Sequence, residues 1–257
     1  MRGWWREISG LVLPASCGGC GRPRVELCEE CRADLYGGMP RRVRPVPEPS
    51  GLPVVHAAAA YENTVRAVLL AHKERGALGL AGALGTALAG AVRAGAGGGR
   101  AGAAGAVLLV PVPSARRAVA ARGHDPMRRI ALAAAGELRR RGVVARAVPV
   151  LRQRRAVFDQ AGLGARQRRE NLAGALEAVA GGERLLAAGQ VVLVDDLLTT
   201  GASLTEAARA IGAASGGDGG CGSVPHGRVR AAVVAVSPSA FEINRNCSRT
   251  CNVAGSE

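Results

Sequence analysis

The chain has 257 residues, of which 48% are apolar and only 2% are aromatic, and its formal net charge at pH 7 is +14. This length suffices for one α/β domain of ordinary size and a small additional module. No apolar run approaches the roughly 20 residues that a membrane-spanning helix needs. The first 14 residues fit a secretory signal poorly, because Glu7 interrupts them and cysteines follow. The composition therefore predicts a cytoplasmic protein without a membrane segment.

Arginine carries almost all of the positive charge, since Lys73 is the only lysine in the chain. Such an excess favours polyanionic partners, namely phosphorylated substrates, nucleic acid or an acidic protein surface. A composition rich in alanine, glycine and arginine is equally typical of a high-GC genome. Charge alone leaves both explanations open.

Two Cys-x2-Cys pairs stand near the N-terminus, Cys17 with Cys20 and Cys28 with Cys31. Four thiolates at this spacing can surround one zinc ion tetrahedrally, and a reducing compartment favours metal over disulfides. A redox pair or unrelated cysteines are the weaker alternatives. We expect a structural zinc site, because four protein ligands leave no open position for chemistry.

Residues 40–53, which follow the cysteines, are rich in proline and arginine and predict a linker. Strand and helix patterns alternate after this linker. The expected strands are at 52–61, 107–110, 143–151, 191–194 and 229–236. The expected helices are at 64–72, 77–93, 126–141 and 204–211. A glycine-rich loop at 212–222 precedes the last strand, and the C-terminal residues predict an unstructured tail.

Basic residues concentrate at three predicted element ends. Lys73 stands at a helix end, where a compact charge suits a binding site, although a solvated helix end explains it as well. Residues 114–123 predict a strand-to-helix loop that could meet a pyrophosphate, since ligands of doubly wound sheets bind beyond the carboxyl ends of strands. Residues 152–171 predict either a mobile loop that covers a ligand or a solvated basic surface. The last two segments contain Arg116, Arg117, Arg122, Gln160, Arg166, Arg168, Arg169 and Asn171.

Residues 191–203, with the sequence VVLVDDLLTTGAS, predict an anion site. A buried strand ends at Asp195 and Asp196, a hydroxyl-rich loop with Gly201 follows, and Ser203 and Glu206 have the spacing of a capping box. Backbone amides and the helix dipole would bind a phosphate. The carboxylates would repel that phosphate, so they suit sugar hydroxyls or hydrated magnesium beside it. The alternative is an ordinary strand-to-helix turn capped by one carboxylate.

This stretch resembles the phosphoribosyl-pyrophosphate loop of type I phosphoribosyltransferases, in which two acidic residues and Thr-Thr-Gly-x-Thr/Ser follow an apolar strand. Over residues 17–236 the chain resembles the ComF/GntX family, also called competence protein F-like. That wider resemblance also rests on further motifs: the four cysteines, Tyr61-Glu62, Val65-Arg66, the lysine-bearing helix end, Pro111-Val112-Pro113, Arg122-Gly123-His124-Asp125, and Arg168, Arg169 and Asn171.

The resemblance implies an α/β protein with a type I phosphoribosyltransferase fold, a parallel sheet flanked by helices, over residues 51–237. A zinc-binding module and linker would occupy 1–50, and a disordered tail 238–257. By position, Asp195 and Asp196 would hold the ribose hydroxyls at the catalytic centre. The 5′-phosphate would be bound by Thr199, Thr200, Gly201, Ala202 and Ser203. Weaker candidates for the pyrophosphate are Lys73, Arg116, Arg117 and Arg122.

Two functions follow from this resemblance. The first is Mg²⁺-dependent transfer of a phosphoribosyl group from 5-phosphoribosyl pyrophosphate to an acceptor that the sequence does not identify. The second is a non-catalytic role, either as an accessory protein for DNA uptake with single-stranded DNA or a helicase as partner, or as a ligand-sensing regulator. Only six aromatic residues are present, which disfavours a base-stacking platform, since each stacked base contributes about 1–3 kcal/mol.

Overall fold

A six-stranded sheet organises the computed structural model, which describes residues 16–96, 105–155, 157, 164–215 and 229–238. The strand order is β1-β2-β8-β7-β3-β4, in which only β1 is antiparallel to its neighbour. These strands are β1 (Arg41–Val43), β2 (Val54–Ala60), β3 (Ala106–Pro111), β4 (Ala145–Ala147), β7 (Gly189–Leu198) and β8 (Arg230–Val236). A separate antiparallel pair is formed by β5 (Leu151–Gln153) and β6 (Leu176–Ala178).

Helices cover both faces of the main sheet. They are α1 (Glu29–Tyr36), α2 (Asn63–Glu74), α3 (Ala81–Gly95), α4 (Arg116–Arg122), α5 (Pro126–Arg140), α6 (Ala165–Leu172), α7 (Gly182–Leu186) and α8 (Ala202–Ser215). A short 3-10 helix, Leu78–Leu80, leads from α2 into α3. Because strand side chains alternate between faces, Val192 and Val194 pack with α3 and α5, whereas Val191 and Leu193 pack with α8.

The sheet has a topological switch point between β3 and β7, which are neighbours. The chain leaves β3 through α4 and α5 and returns at β4, on one side of β3. It leaves β7 through α8 and returns at β8, on the opposite side and over the opposite face. The two outgoing connections therefore diverge, and open α/β sheets form their ligand-binding crevice at such a point, here beyond the carboxyl ends of β3 and β7.

The predicted alternation of strands and helices is confirmed as an α/β fold with a mostly parallel sheet. The amphipathic helix at 126–141 is α5, and the strands at 107–110 and 229–236 are β3 and β8. The expected helix at 77–93 is divided into the 3-10 turn and α3. The linker contains β1, which pairs with β2 and so belongs to the sheet.

Two further predictions were wrong. Residues 143–151 are not one strand but parts of β4 and β5, which lie in different sheets. Pro149 separates them, and a proline has no N–H to donate to a ladder. Residues 114–123 are not a loop, since their alanine-rich part forms α4 and ends at Gly123, which has φ +76°.

One described helical stretch, the 18 residues Leu78–Gly95, is long and apolar enough to cross a membrane by length and composition. The sequence-based expectation that no apolar run approaches the length of a membrane-spanning helix is therefore wrong for this stretch. Half of this stretch is buried inside the protein, where Leu84 and Leu88 are inaccessible to solvent and α3 packs on α5 and β2. The predictions for Gln160, for the loop beyond Ser215 and for the tail after Pro238 lie outside the described residues.

Candidate functional site

The strand β7 extends beyond its neighbour β3 at the switch point. The last residue of β3, Pro111, pairs with Val194, while β8 continues to pair with β7 as far as Leu198. The predicted end of the strand at 194 is therefore wrong, and Asp195 and Asp196 lie within it. Backbone pairing with β8 holds both carboxylates at the carboxyl edge of the sheet, beside the crevice.

Lys73 reaches this edge from the end of α2. Its Nζ lies 2.6 Å from Oδ2 of Asp196, and the two side chains are 37% and 18% exposed. Burial opposes the charge of Lys73, but the carboxylates of Asp196 and Asp195 outweigh burial and raise its pKa. The only lysine in the chain is thus an ammonium group held against the carboxylates that are predicted to bind the diol. The sequence predicted Lys73 as a pyrophosphate ligand and did not predict this ion pair.

Asp195 differs from Asp196 in its surroundings. Its Oδ1 accepts a hydrogen bond from the backbone N–H of Asp196 at 2.9 Å. Desolvation raises the pKa of Asp195 well above its usual value, and the neighbouring charge of Asp196 adds to this, while Lys73 acts in the opposite direction. The pair therefore combines one carboxylate that is neutralised by an ammonium group with one that retains its proton more strongly.

The turn after β7 brings backbone amides to the same edge. Gly201 has φ +77°, and a Cβ added there would lie 3.0 Å from Leu52 Cδ1 and 3.3 Å from Pro49 Cγ. The N–H of Thr205 donates to the carbonyl oxygen of Gly201 at 2.9 Å, so α8 begins at Ala202. The first amides of the helix have no intrahelical partner and can bind an anion. The partly buried residues of this segment are Thr199, Thr200 and Ser203, while Gly201 and Ala202 are buried.

The expected capping box is not formed, because α8 begins two residues earlier than predicted and Ser203 lies inside it. Glu206 instead accepts hydrogen bonds from the N–H of Leu176 at 2.9 Å and from Arg209 Nε at 2.8 Å. Arg209 also donates to the carbonyl oxygen of Leu176 at 2.8 Å. We call these three residues the α8–β6 clamp. The available sequence signal for it was a glutamate and an arginine three positions apart in a mostly apolar helix.

The predicted pyrophosphate arginines are placed differently from one another. Arg122 donates from Nε and Nη2 to the carboxylate of Glu74, each at 3.2 Å, and Glu74 follows Lys73 on α2. Its Nη1 is buried without a hydrogen-bond partner. The side chains of Arg116 and Arg117 are exposed on the first turn of α4, and the N–H of Arg116 lies 3.5 Å from Oε1 of Gln153. Arg122 is the arginine that the fold brings next to Lys73.

The rest of the Arg122-Gly123-His124-Asp125 motif has structural roles. Gly123 ends α4 in the left-handed conformation, and the side chain of Asp125 caps α5 by accepting from the N–H of Arg128 at 3.1 Å. The ring of His124 packs against that of buried His72, with 6.1 Å between centroids. The Asp-Pro sequence at the start of α5 is itself a helix-start signal.

The described parts of the predicted covering loop, 152–171, include the end of β5, the two arginines that follow it and most of α6. Arg155, near the start of this segment, contacts its end, because Nη2 of Arg155 donates to the carbonyl oxygens of Asn171 and Ala173 at 2.9 and 2.8 Å. Arg166 pairs with Glu170 along α6, and Nε of Arg168 is buried without a partner.

The four predicted metal ligands come together as a cluster, with all their Sγ atoms within 4.8 Å of one another. Cys28 Sγ lies 3.7 Å from Cys17 Sγ and 3.6 Å from Cys20 Sγ. Sulfurs at about 2.3 Å from a tetrahedral zinc ion are about 3.8 Å apart, so the cluster has the size of a zinc site. Burial opposes ionisation of Cys17, but the amides of Cys20, Cys28 and Gly19 lower its pKa to about 6. The four cysteines could hold a structural zinc ion.

No family model matches the chain, and a search of curated proteins returns no match.

Proposed function

We propose that the chain binds 5-phosphoribosyl pyrophosphate with Mg²⁺ and transfers the phosphoribosyl group to an acceptor. The observation that carries this proposal is the joint position of Asp195, Asp196 and the 199–203 turn at the carboxyl edge of β7. Carboxylates that accept hydrogen bonds from a diol stand beside amides that donate to a phosphate. A sugar phosphate with free ribose hydroxyls needs both.

In the proposed reaction, the bond between the anomeric carbon and the pyrophosphate oxygen breaks, and its electron pair leaves with the pyrophosphate. A lone pair of the acceptor forms the new bond to that carbon, and the proton of the acceptor goes to solvent. The carboxylate pair orients the ribose and stabilises positive charge that develops on the sugar. Magnesium prefers oxygen ligands and uses one or two carboxylates together with substrate phosphates, which fits this donor set. When bound, it would neutralise charge on the pyrophosphate.

Lys73 and Arg122 supply fixed positive charge beside the carboxylates. Lys73 is already desolvated in part and held on Asp196, and Arg122 is attached to the adjacent Glu74. A departing pyrophosphate would meet two cations whose positions are set before the ligand arrives, so little reorganisation is needed.

The test is release of pyrophosphate when the protein is incubated with 5-phosphoribosyl pyrophosphate, Mg²⁺ and a panel of nucleobases. We expect release with one class of acceptor. Calorimetry should show ligand binding by the native chain and its loss in the double variant Asp195→Asn, Asp196→Asn. The control variant is Asp34→Asn, which changes an exposed carboxylate on α1. Equal affinity in the native chain and the double variant would refute the site.

A second candidate function is the accessory protein for DNA uptake, which would bind single-stranded DNA or a helicase. It is favoured by the net charge of +14 and by exposed arginines such as Arg154, which follows β5, and Arg169 on α6. A salt titration of DNA binding tests it, because each phosphate contact adds to the dependence of log affinity on log salt. A slope near zero would exclude phosphate contacts. Zinc would serve structure in either function, and a cytoplasmic location suits both.

A further inference from the structure

The turn between the first two cysteines lies against the segment that carries Lys73. A Cβ added to Gly18 would lie 2.7 Å from Leu80 Cδ1, and a Cβ added to Gly19 would lie 2.8 Å from Thr64 Cγ2 and 2.6 Å from Cys31 Sγ. Thr64 is in the first turn of α2, and Leu80 ends the 3-10 turn that follows α2. Two glycines therefore allow one cysteine turn to touch both ends of the 63–80 segment.

A second contact strengthens the attachment beyond α2. The carbonyl oxygen of Glu26 accepts from the N–H of Gly18 at 2.9 Å, and the carboxylate of Glu26 lies so close to Gly79 that a Cβ there would collide with it. Leu80 is 1% exposed and belongs to the same hydrophobic core as Cys17. Gly79 and Leu80 are thus packed directly on the cysteine segment.

The start of the 3-10 turn is also connected to His72, the residue that precedes Lys73. The N–H of Ala77 donates to the carbonyl oxygen of Ala71 at 3.1 Å, and Nδ1 of His72 lies 3.2 Å from the carbonyl oxygen of Ala77. His72 Nε2 faces the carbonyl oxygen of Pro126 at 3.4 Å. The last turn of α2 is therefore held from both sides, and Lys73 extends from it to Asp196.

We propose that the four-cysteine cluster positions Lys73, and that the contacts of Gly18 with Leu80 and of Gly19 with Thr64 carry the effect. Metal bound by the four thiolates would fix the cysteine turn, the turn would fix the first turn of α2 and the 3-10 turn that follows it, and α2 holds the ammonium group on Asp196. The consequence for pyrophosphate binding rests on the proposed function. A cation that is fixed in advance binds an anion with less loss of side-chain freedom.

The chain offers a direct readout, because Lys73 is its only lysine. Full-length protein labelled with [¹³Cε]lysine should give one Cε resonance, and Asp196→Asn should show where that resonance moves when the ion pair is lost. We expect Gly18→Ala, Leu80→Val and removal of zinc by a chelator each to move the resonance towards this reference position. Circular dichroism checks that each sample is folded.

Matched controls separate positioning from general destabilisation. Gly38→Ala adds a methyl group where no atom lies within 4 Å, and Leu88→Val removes a methylene from a fully buried leucine of α3. Neither should move the Lys73 resonance. A resonance that stays at its native position in both folded Gly18→Ala and folded Leu80→Val would overturn the proposal, and so would an equal movement in the controls.

Calorimetry with inorganic pyrophosphate and Mg²⁺ distinguishes this proposal from the proposed function. We expect Gly18→Ala to weaken pyrophosphate binding by about two- to tenfold, the range that ordering one long side chain represents. If the native chain does not bind pyrophosphate while the resonance moves as expected, the proposed function fails and the positioning stands. If the native chain binds pyrophosphate and Gly18→Ala binds it equally well, the effect on binding is refuted.

Discussion

Asp195 is subject to opposing demands from folding and from the proposed ligand binding. Desolvation and the charge of Asp196 raise its pKa well above the usual carboxyl value. The folded chain consequently binds a proton there more tightly than the unfolded chain. The free energy of unfolding therefore falls as the pH rises from the ordinary carboxyl pKa through the raised pKa. Coordination of a cation, in contrast, needs the ionised form.

Asp195→Asn should increase the free energy of unfolding at pH 8 by about 0.5–2 kcal/mol, because a neutral amide replaces a group whose charged form is disfavoured. The gain should shrink towards zero as the pH approaches 4, where the native carboxyl group is also neutral. Urea denaturation at several pH values measures this. A gain that is independent of pH would contradict the assignment of the raised pKa.

Asp196→Asn is the comparison and should have the opposite sign. It leaves Lys73 without its partner, so the free energy of unfolding should fall by about 0.2–1 kcal/mol, a small loss because Lys73 is 37% exposed and water can reach it. The same denaturation measurements at pH 7 test this. Stabilisation by Asp196→Asn would show that the ion pair does not support the fold.

Gly201 is required by conformation and by packing together. Its φ of +77° disfavours any residue with a side chain, and an added Cβ would crowd Leu52. Gly142 has φ +78° with no atom within 4 Å of an added Cβ, so Gly142→Ala measures the conformational cost alone. That cost is about 1–2 kcal/mol. We expect Gly201→Ala to destabilise the chain by about 1 kcal/mol more, since its neighbours must move. Thermal denaturation of both variants tests this, and equal losses would contradict it.

At the scale of elements, the α8–β6 clamp connects α8, the helix that follows β7, to the small β5–β6 sheet. Glu206 is 5% exposed, and burial opposes its charge, but Arg209 and the amide of Leu176 lower its pKa below the usual value. The stabilisation from this carboxylate is therefore present above the ordinary glutamate pKa and is lost as the pH falls through the lowered pKa. The helix that begins at the proposed ligand site thus depends on a distant strand for its position.

Glu206→Gln should lower the free energy of unfolding at pH 7 by about 1.5–3 kcal/mol, because charge-assisted hydrogen bonds are lost in a buried place. Urea denaturation provides the measurement. Glu170→Gln is the matched control, since Glu170 also pairs with an arginine on its own helix but is 62% exposed. It should change stability by less than about 0.5 kcal/mol. Similar losses in both variants would show that the clamp contributes no more than a surface pair.

The elements that were predicted correctly have strong local sequence patterns. The elements that were predicted wrongly depend on pairing with neighbouring strands that are distant in the sequence. The period of the apolar residues in α5 and the Asp-Pro start define that helix from adjacent residues. The strand β7 continues through Asp195 and Asp196 because β8 pairs with it there, and no local pattern extends a strand through two carboxylates. Likewise, β1 looks like linker sequence, and pairing with β2 makes it a strand.

At the scale of the whole molecule, the cysteine cluster and the sheet domain share one hydrophobic core. Cys17, Cys28 and Cys31 are buried with Leu84 and Val194 in that core, while Cys20 is exposed. A metal ion at this position would stabilise more than the N-terminal segment. Its binding free energy would contribute to the stability of the core that supports α2 and α3.

We expect the purified chain to contain one zinc ion, and removal of zinc with a chelator to lower the midpoint of thermal unfolding. Cys28→Ser should lose the metal and reproduce that shift, because the variant lacks one of the four thiolates. Cys221→Ser, which leaves the cluster intact, should retain both zinc and the native midpoint. Metal analysis by atomic absorption and thermal denaturation test this. Full zinc content in Cys28→Ser would refute the four-thiolate site.

The sequence by itself determined the α/β alternation, the pairing of four cysteines at a metal-site spacing and the chemical character of residues 195–203. Each of these depends on residues that are close together in the chain. Only the tertiary structure decided that Lys73 lies on Asp196, 123 positions away, that Glu206 serves a clamp and not a cap, and that the cysteine turn touches both ends of the 63–80 segment. These contacts depend on strand order and on the directions of the crossover connections, which place distant segments side by side.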